Sequence, residues 1–349
     1  MKSSPVRIHS DIQRRIDSYT DLIPVELHAF WAKADTQFVH GRLVSSNVIA
    51  YPTYWYSPST RHQLGFWTFN GSEQLPQGEA VQETTLLSLL DDVTAELATR
   101  IITSLNDNQL HLGFTVNLNI KRTDCSPSAR TFYFDAYTTK LTTRKTVVEC
   151  PLYDAESGKL LLTACATFVF FPLSAAADKI KNTSEESDSV VYEPPSPLLD
   201  EADVLALDNS DLHSLSQVMN VLPHGLITHK AGSFSPSKRR IVVLADFDKD
   251  LDGPPNHVHG GLLATVLYNA SELLFAKTTG IGRTSCAAAV RDTNYLKGVP
   301  SESRNILIDA AVEDTSDSGV VVSAKLMHGS KVCTTLRTTF AIPTLTSKL

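Results

Sequence analysis

A segment rich in Ser, Glu, Asp and Pro divides the chain close to the middle of its 349 residues. It covers positions 174–203 and contains few large apolar side chains that could anchor it in a core. We interpret it as a flexible linker between an amino-terminal half, 1–173, and a carboxyl-terminal half, 204–349. Because a linker at the midpoint suggests an internal duplication, the same order of elements is expected on both sides.

The amino-terminal half has one helix-like segment set among strand-like segments. From Thr84 to Leu105 apolar residues recur every three or four positions, which predicts a largely buried helix. Strand-like patterns precede this helix at 42–50 and 62–69. After the helix, antiparallel strands are predicted around Phe114–Ile120, Phe132–Ala136, Val147 and Leu160–Phe171.

The carboxyl-terminal half repeats this order. A strand at Arg240–Phe247 and a helix at Leu262–Ala276 are followed by strand-like segments at 286–296, 304–313, 319–327 and 331–342. The predicted fold class is therefore α+β: two halves that pair edge to edge, each a long central helix wrapped by a curved antiparallel sheet. A short helix is expected within 204–220, and a docking helix within the first 35 residues.

Charge and composition argue against several kinds of partner. The formal net charge is −7, and no block of Lys or Arg would attract nucleic acid or an anionic membrane surface. No run of about 18 apolar residues predicts a membrane span. The five cysteines form no CxxC pair, so we interpret them as buried thiols of a reducing compartment and predict no metal site.

The last three residues predict a location. The amino terminus has no apolar core typical of a signal peptide, so the protein is expected to stay inside the cell. Ser347-Lys348-Leu349 spells the Ser-Lys-Leu address that an import receptor reads at a free carboxyl end. We therefore predict a peroxisomal protein, with the import receptor as one partner.

The sequence His259-Gly260-Gly261 lies directly at the predicted start of the second helix. The first N–H groups of a helix have no partner within it, and the helix dipole is positive at that end. Main-chain donors there can stabilise a developing oxyanion, and glycines let a substrate approach the backbone closely. The alternative interpretation is a tight turn into a closely packed helix.

These residues resemble the acyl-CoA thioesterases of the hot-dog superfamily, of the phenylacetate-pathway type, whose signature is His-Gly-Gly before an apolar helix. The resemblance covers about 240–342 by motif and order of elements, and the first half by order alone. It implies two fused hot-dog domains, a double hot-dog like that of a fungal peroxisomal member. It also implies that the glycine N–H groups hold the thioester carbonyl.

The chain departs from the family at the acid. The resemblance implies a carboxylate nine residues after His259, but Tyr268 stands there. A polar residue six positions before the histidine is also replaced, by Gly253. In this family each site joins the helix start of one half to the acid of the other, which directs attention to Asp91 and Asp92 of the first half.

The predicted catalytic set is therefore Asp92 or Asp91 together with His259, Gly260 and Gly261. A carboxylate within an apolar helix would need a partner or a raised pKa. The alternative is that both aspartates lie on a solvated step of the helix. Only one of the two related sites is expected to be competent, because the first half has no His-Gly-Gly.

Six further residues are predicted to bind the substrate. They are Asn256, His257, Tyr268, Asn269, Glu272 and Arg283. His257 could instead be a surface loop residue, and Tyr268 and Asn269 could serve packing. Arg283 could meet coenzyme A phosphates, although a single basic residue beside a loop is more often only solvated.

The sequence thus predicts a thioesterase-like hydrolase acting on an acyl or polyketide thioester. It needs no cofactor, because coenzyme A is part of the substrate. Two alternatives stay open: a hot-dog dehydratase or cyclase of secondary metabolism, and an acyl-binding protein without catalysis. A homo-oligomer is compatible with the sequence.

Overall fold

The computed structural model describes residues 8–25, 48–71, 83–106, 109, 111–123, 131–173, 203–216, 227–248, 251, 256–282 and 287–342. The chain divides into two compact units, which are described one at a time. The first contains the described residues from 8 to 173, and the second contains those from 203 to 342.

The first unit combines two helices with an antiparallel sheet. Its elements are α1 (Ser10–Asp17), β1 (Ile23–Val25), β2 (Val48–Ser57), β3 (His62–Gly71), α2 (Glu83–Leu105), β4 (His111–Arg122), β5 (Thr131–Leu141), β6 (Lys145–Asp154) and β7 (Leu160–Pro172). The described strands lie in the order β1-β2-β3-β5-β6-β7-β4, and each neighbouring pair is antiparallel.

The spacing of apolar residues explains why α2 is buried. Leu86, Leu90, Val93, Leu97 and Ile101 recur every three or four positions, and all are buried. The helix packs on strands β3 to β7. In β7 buried positions alternate with partly exposed ones, as expected when one face of a sheet is covered. The predicted long helix and the strands after it are confirmed.

The amino-terminal helix α1 covers part of the opposite face of this sheet. Gln63 donates to Glu96 of α2, so its neighbours Leu64 and Phe66 point the other way. There they form a core cluster with Ile12 of α1. The docking helix expected near the amino terminus is therefore found, at Ser10–Asp17.

The second unit follows the same plan. Its elements are β8 (Leu205–Ala206), α3 (Asn209–Ser216), β9 (Ile227–Ser235), β10 (Arg240–Phe247), α4 (Gly260–Thr279), β11 (Ala287–Tyr295), β12 (Ile306–Ser316), β13 (Gly319–His328) and β14 (Lys331–Ala341). The described strands lie in the order β11-β14-β13-β12-β10-β9-β8, again antiparallel throughout.

Helix α4 is apolar on nearly all sides and packs on β10, β12, β13 and β14. Phe340 of β14 stacks on Phe275 and also contacts Tyr268, which identifies the helix-facing side of that strand. The helix ends at Gly280, which adopts the left-handed conformation and donates its N–H to the Ala276 carbonyl at 2.9 Å. A glycine is favoured there because it has no Cβ to strain this conformation.

The two units share the order strand, long helix, four strands, so the predicted α+β class and internal repetition are confirmed. Three short or polar strands, β1, β8 and β9, were not predicted. The strand expected at 42–50 is described from Val48 and continues to Ser57, beyond its predicted end. The predicted linker lies outside the described residues except at Asp203. No described helix is both long and apolar enough to cross a membrane.

Candidate functional site

His259 caps the start of α4 with its own side chain. Its Nδ1 accepts the Gly261 N–H at 3.1 Å, and its carbonyl accepts the Leu263 N–H at 3.2 Å. Ser, Thr, Asp and Asn usually occupy such a position, because their oxygens satisfy an early helical N–H. An imidazole that accepts at Nδ1 is neutral there and carries its proton on Nε2. His259 is therefore the residue that shapes this helix start.

The two glycines of the motif have different roles. The N–H of Gly261 takes part in the cap, so it is already engaged by a protein acceptor. The Gly260 carbonyl accepts a hydrogen bond from the Tyr295 hydroxyl at 2.9 Å, which holds the helix start on β11. Among the described residues the Gly260 N–H meets no backbone acceptor, so it is an amide donor that remains for a ligand.

The loop before the helix buries His257. Its neighbour Val258 donates to the Val299 carbonyl at 2.9 Å, and His257 forms a β-bridge with Pro300. The ring lies against Gly298, where an added Cβ would come within 2.5 Å of Cδ2. His257 is only 7% exposed, so the interpretation as a surface loop histidine is wrong.

Asn256 is exposed at the outer end of the same loop. Its backbone is left-handed, a conformation that Asn tolerates better than most residues, and its carbonyl accepts the Ser301 N–H at 3.1 Å. The main chain of Asn256 therefore shapes the turn. Its predicted role in substrate binding stays a prediction.

Tyr268, at the position where the resemblance implies an acid, packs beneath a buried cation. The guanidinium carbon of Arg291 lies 4.5 Å from the centre of the Tyr268 ring, and both residues are buried. Such a placement is favourable because the face of an aromatic ring is electronegative. The Tyr268 hydroxyl lies 3.5 Å from Glu272, the first carboxylate along α4. These three side chains are brought together on one side of the helix.

The first unit contains the two predicted aspartates. Asp91 is 2% exposed and accepts the Thr115 hydroxyl at 3.1 Å, which supplies the partner that a buried carboxylate needs. Thr115 lies at a register shift between β4 and β7. Asp92 is partly exposed. Burial raises the pKa of Tyr54, and the nearby charges of Glu96 and Asp92 raise it further.

Sequence reasoning missed a third carboxylate on α2. Glu96 is buried, pairs with Arg100 at 3.1 Å and accepts the Gln63 amide at 3.2 Å. Because Arg100 balances its charge, Glu96 is better suited to holding the helix on the sheet than to acting as a base. The interruption of the apolar pattern at 96 was the available signal.

Arg291, Tyr295 and Thr115 were also missed. Arg291 and Tyr295 are four positions apart on one strand, and this even spacing could have placed them on one face of the sheet. Nothing in the local sequence, however, indicates that they meet α4. Arg283 lies outside the described residues. Among the described side chains, no three His, Cys, Asp or Glu residues are grouped closely enough to hold a metal ion.

Comparison with known proteins found no matching family model and no matching curated protein. Several solved structures are similar in backbone. The tesB protein of Mycobacterium avium subs. paratuberculosis is 12% identical, with a TM-score of 0.49 over 80% of this chain and 93% of that one. The 12:0-ACP thioesterase from Umbellularia californica is 11% identical, with a TM-score of 0.48 over 80% and 94%.

A phenylacetic acid degradation-related protein of Ralstonia eutropha JMP134 is 18% identical, with a TM-score of 0.28 over 33% of this chain and 84% of that one. Each of these TM-scores is below 0.5. Function is therefore inferred from the residues of the chain itself.

Proposed function

We propose that this chain hydrolyses an acyl thioester of coenzyme A and that its two units are hot-dog domains. The observation that carries the proposal is the start of α4, where His259 caps a buried helix whose first two residues are Gly260 and Gly261. Amide donors at a helix start can stabilise negative charge, and the helix dipole adds to this effect. Because Gly261 donates to His259, the Gly260 N–H is the donor that we assign to the thioester oxygen.

The chemistry requires one further group. Water attacks the thioester carbon, the carbonyl oxygen becomes an oxyanion, and the carbon–sulfur bond then breaks to release coenzyme A as its thiol. A base must take the proton from the attacking water. Asp91 or Asp92 stays the predicted base, and Asp91 is the better candidate because Thr115 orients its carboxylate.

A pair of substitutions at Gly260 tests the amide donor. Proline is tolerated at the first position of a helix and has no N–H, and the extended backbone of His259 suits a residue that precedes proline. Gly260→Pro therefore removes the donor, whereas Gly260→Ala retains it and also adds a side chain. Release of free thiol from a panel of acyl-CoAs is measured with the purified full-length protein.

We expect Gly260→Pro to lower kcat about 100-fold or more, which is typical for the loss of one oxyanion donor. Gly260→Ala should stay much closer to the unaltered protein. Circular dichroism and thermal unfolding show whether both variants are folded. Equal turnover by the two folded variants would remove the Gly260 N–H from the mechanism.

The base is tested separately. Asp91→Asn retains an acceptor for the Thr115 hydroxyl but cannot take up a proton at neutral pH. If Asp91→Asn and Asp92→Asn together leave turnover of every acyl-CoA unchanged, neither residue is the base.

A second function is favoured by one observation. Tyr268 and its contact with Arg291 replace the carboxylate that hydrolysis in the resembled family uses. A dehydratase or cyclase reaction, or binding without catalysis, is compatible with that replacement. Mass spectrometry of the products from hydroxyacyl-CoA distinguishes loss of water from loss of coenzyme A, and tight binding without any product would indicate an acyl-binding protein.

A peroxisomal location is part of the same proposal. Ser347-Lys348-Leu349 supports it, although these residues lie outside the described part of the chain. A fluorescent protein fused to the amino terminus should colocalise with a peroxisomal marker. Deletion of the last three residues should leave the fusion dispersed, and persistent colocalisation would contradict the proposed address.

A further inference from the structure

Strand β14 and helix α4 run side by side from the start of the helix. Near that start, Tyr295 donates to the Gly260 carbonyl, and Thr334 is the cross-strand partner of Tyr295. Further along, Arg291 lies over Tyr268, and Thr338 is its cross-strand partner. Eight residues of helix and four residues of strand both span about 12–14 Å. The two contacts are therefore separated by the same distance along α4 and along β14.

Three buried polar atoms of α4 and β14, close in sequence or register to these contacts, have no hydrogen-bond partner among the described atoms. They are the hydroxyl oxygens of Thr334 and Thr338 and the side-chain nitrogen of Asn269, which is the residue after Tyr268 on α4. Both threonines are 0% exposed and Asn269 is 3% exposed. A buried polar group without a partner costs about 1–3 kcal/mol, so three of them use a large part of the stability of a typical domain.

Two other buried hydroxyls of the same helix, near these contacts, are satisfied. Thr265 donates to the Gly261 carbonyl at 2.9 Å, and Ser271 donates to the Leu267 carbonyl at 2.8 Å. Local back-bonding therefore accounts for Thr265 and Ser271. It does not account for Thr334 and Thr338, which lie on the face of β14 that α4 covers, or for Asn269, which follows Tyr268 on the helix.

We propose that these three groups bind oxygen atoms of the acyl chain. The substrate class is then an acyl thioester whose chain carries keto or hydroxyl groups, as opposed to a plain alkyl chain. This inference rests on the proposed function, since it assumes a thioester at the start of α4. The Asn269 amide nitrogen donates to a carbonyl or hydroxyl oxygen, and a threonine hydroxyl both donates and accepts.

Selectivity follows from the penalty for leaving such groups unmatched. A site built to hydrogen-bond a substrate oxygen rejects the analogue that lacks it, because its own polar groups then remain buried without partners. A plain alkyl chain would leave Thr334, Thr338 and Asn269 buried without hydrogen-bond partners. The Thr334 end lies level with the helix start, and the Thr338 end lies about two helical turns away.

The test compares octanoyl-CoA with its keto and hydroxy derivatives. Thr334→Val and Thr338→Val remove the hydroxyls while nearly preserving shape. Thr335→Val and Thr339→Val are matched controls, because these threonines alternate with the buried ones and point away from α4. Wild-type protein should prefer at least one oxygenated derivative by about 10-fold or more in kcat/KM.

Thr334→Val or Thr338→Val should reduce that preference about 10-fold, because kcat/KM for the oxygenated derivative falls relative to that for octanoyl-CoA. The two control variants should leave the preference unchanged. A wild-type preference for octanoyl-CoA would overturn the proposal. So would a lower thermal midpoint in the valine variants with unaltered selectivity, because the hydroxyls would then serve the fold alone.

The result also separates this inference from the proposed hydrolysis. If no ester is hydrolysed, calorimetric binding of the same three esters is measured instead. A binding preference for an oxygenated ester that disappears in Thr334→Val or Thr338→Val would support the inference while the hydrolytic function fails. Hydrolysis of all three thioesters at equal rates would support the hydrolytic function and contradict the inference about the acyl chain.

Discussion

Two histidines in the loop before α4 are buried for different reasons. His259 uses Nδ1 to cap the helix, whereas His257 packs its ring against Gly298. Both are 7% exposed. Burial of an imidazole is tolerated when its nitrogens have partners or its ring has close packing, and this loop provides one of each.

Gly298 should tolerate no side chain. Gly298→Ala places a Cβ within 2.5 Å of Cδ2 of the buried His257 ring, so the loop must shift. We expect the free energy of unfolding to fall by about 1–3 kcal/mol, which is typical of overpacking. Thermal and denaturant unfolding measure it. Gly282→Ala is the matched control, because nothing lies within 4 Å of the added Cβ, and an equal effect of both changes would contradict the prediction.

At the scale of elements, one carboxylate ties three strands of the second unit together. Asp309 of β12 accepts two hydrogen bonds from Arg240 of β10, at 2.8 and 2.9 Å, and contacts Lys325 of β13 at 3.0 Å. Burial alone would raise the pKa of Asp309. The hydrogen bonds from Arg240 and Lys325 outweigh burial and hold the pKa below its usual value of 3.8.

Asp309→Asn should therefore destabilise the second unit. We expect a loss of about 1–3 kcal/mol at neutral pH, less than for a fully buried pair because both cations are partly exposed. The depressed pKa means that this contribution is present above pH 3.8 and is lost as pH falls through the lower folded value. Denaturant unfolding at neutral and acidic pH should show the difference between the variant and wild type shrinking in acid.

Glu313→Gln provides the comparison for Asp309. Glu313 also pairs with an arginine, Arg337, at 2.9 Å, but both of these side chains are exposed. The change should cost no more than about 1 kcal/mol. A loss as large as that of Asp309→Asn would show that burial of the carboxylate does not decide how strongly these ion pairs stabilise the sheet.

At the scale of the whole chain, the two units repeat one plan and differ in what their additional helices cover. In the first unit α1 lies on the face of the sheet opposite α2, where Ile12 joins Leu64 and Phe66. In the second unit the short helix α3 packs on β9 and on α4. The amino-terminal segment is therefore part of the core of the first unit.

Removal of one apolar side chain from α1 should destabilise the first unit. Ile12→Ala is expected to cost about 2–4 kcal/mol, because Ile12 is 1% exposed within a packed cluster. Arg14→Ala on the same helix is the control, since its side chain is 78% exposed, and it should cost less than about 1 kcal/mol. Thermal unfolding checks both. Equal midpoints for the two variants would show that α1 is not held by its apolar contact.

Periodicity predicted the long helices and the strands that follow them, because burial against one partner leaves a regular spacing in the sequence. Strands β1, β8 and β9 escaped prediction because they are short or contain many polar residues. For the candidate site, the His259 motif at the start of α4 was correctly placed. The contacts of Tyr268 with Arg291 and of Asp91 with Thr115 were not predicted.

The sequence by itself determined two α+β halves and a glycine-rich helix start, because both features depend only on the local spacing and type of residues. Only the tertiary structure decided that His259 takes the Gly261 N–H, and that Thr334 and Thr338 are buried against α4. The physical reason is that cross-strand partners are set by register and helix packing. These bring together residues that are distant along the chain, and no local pattern records which ones will meet.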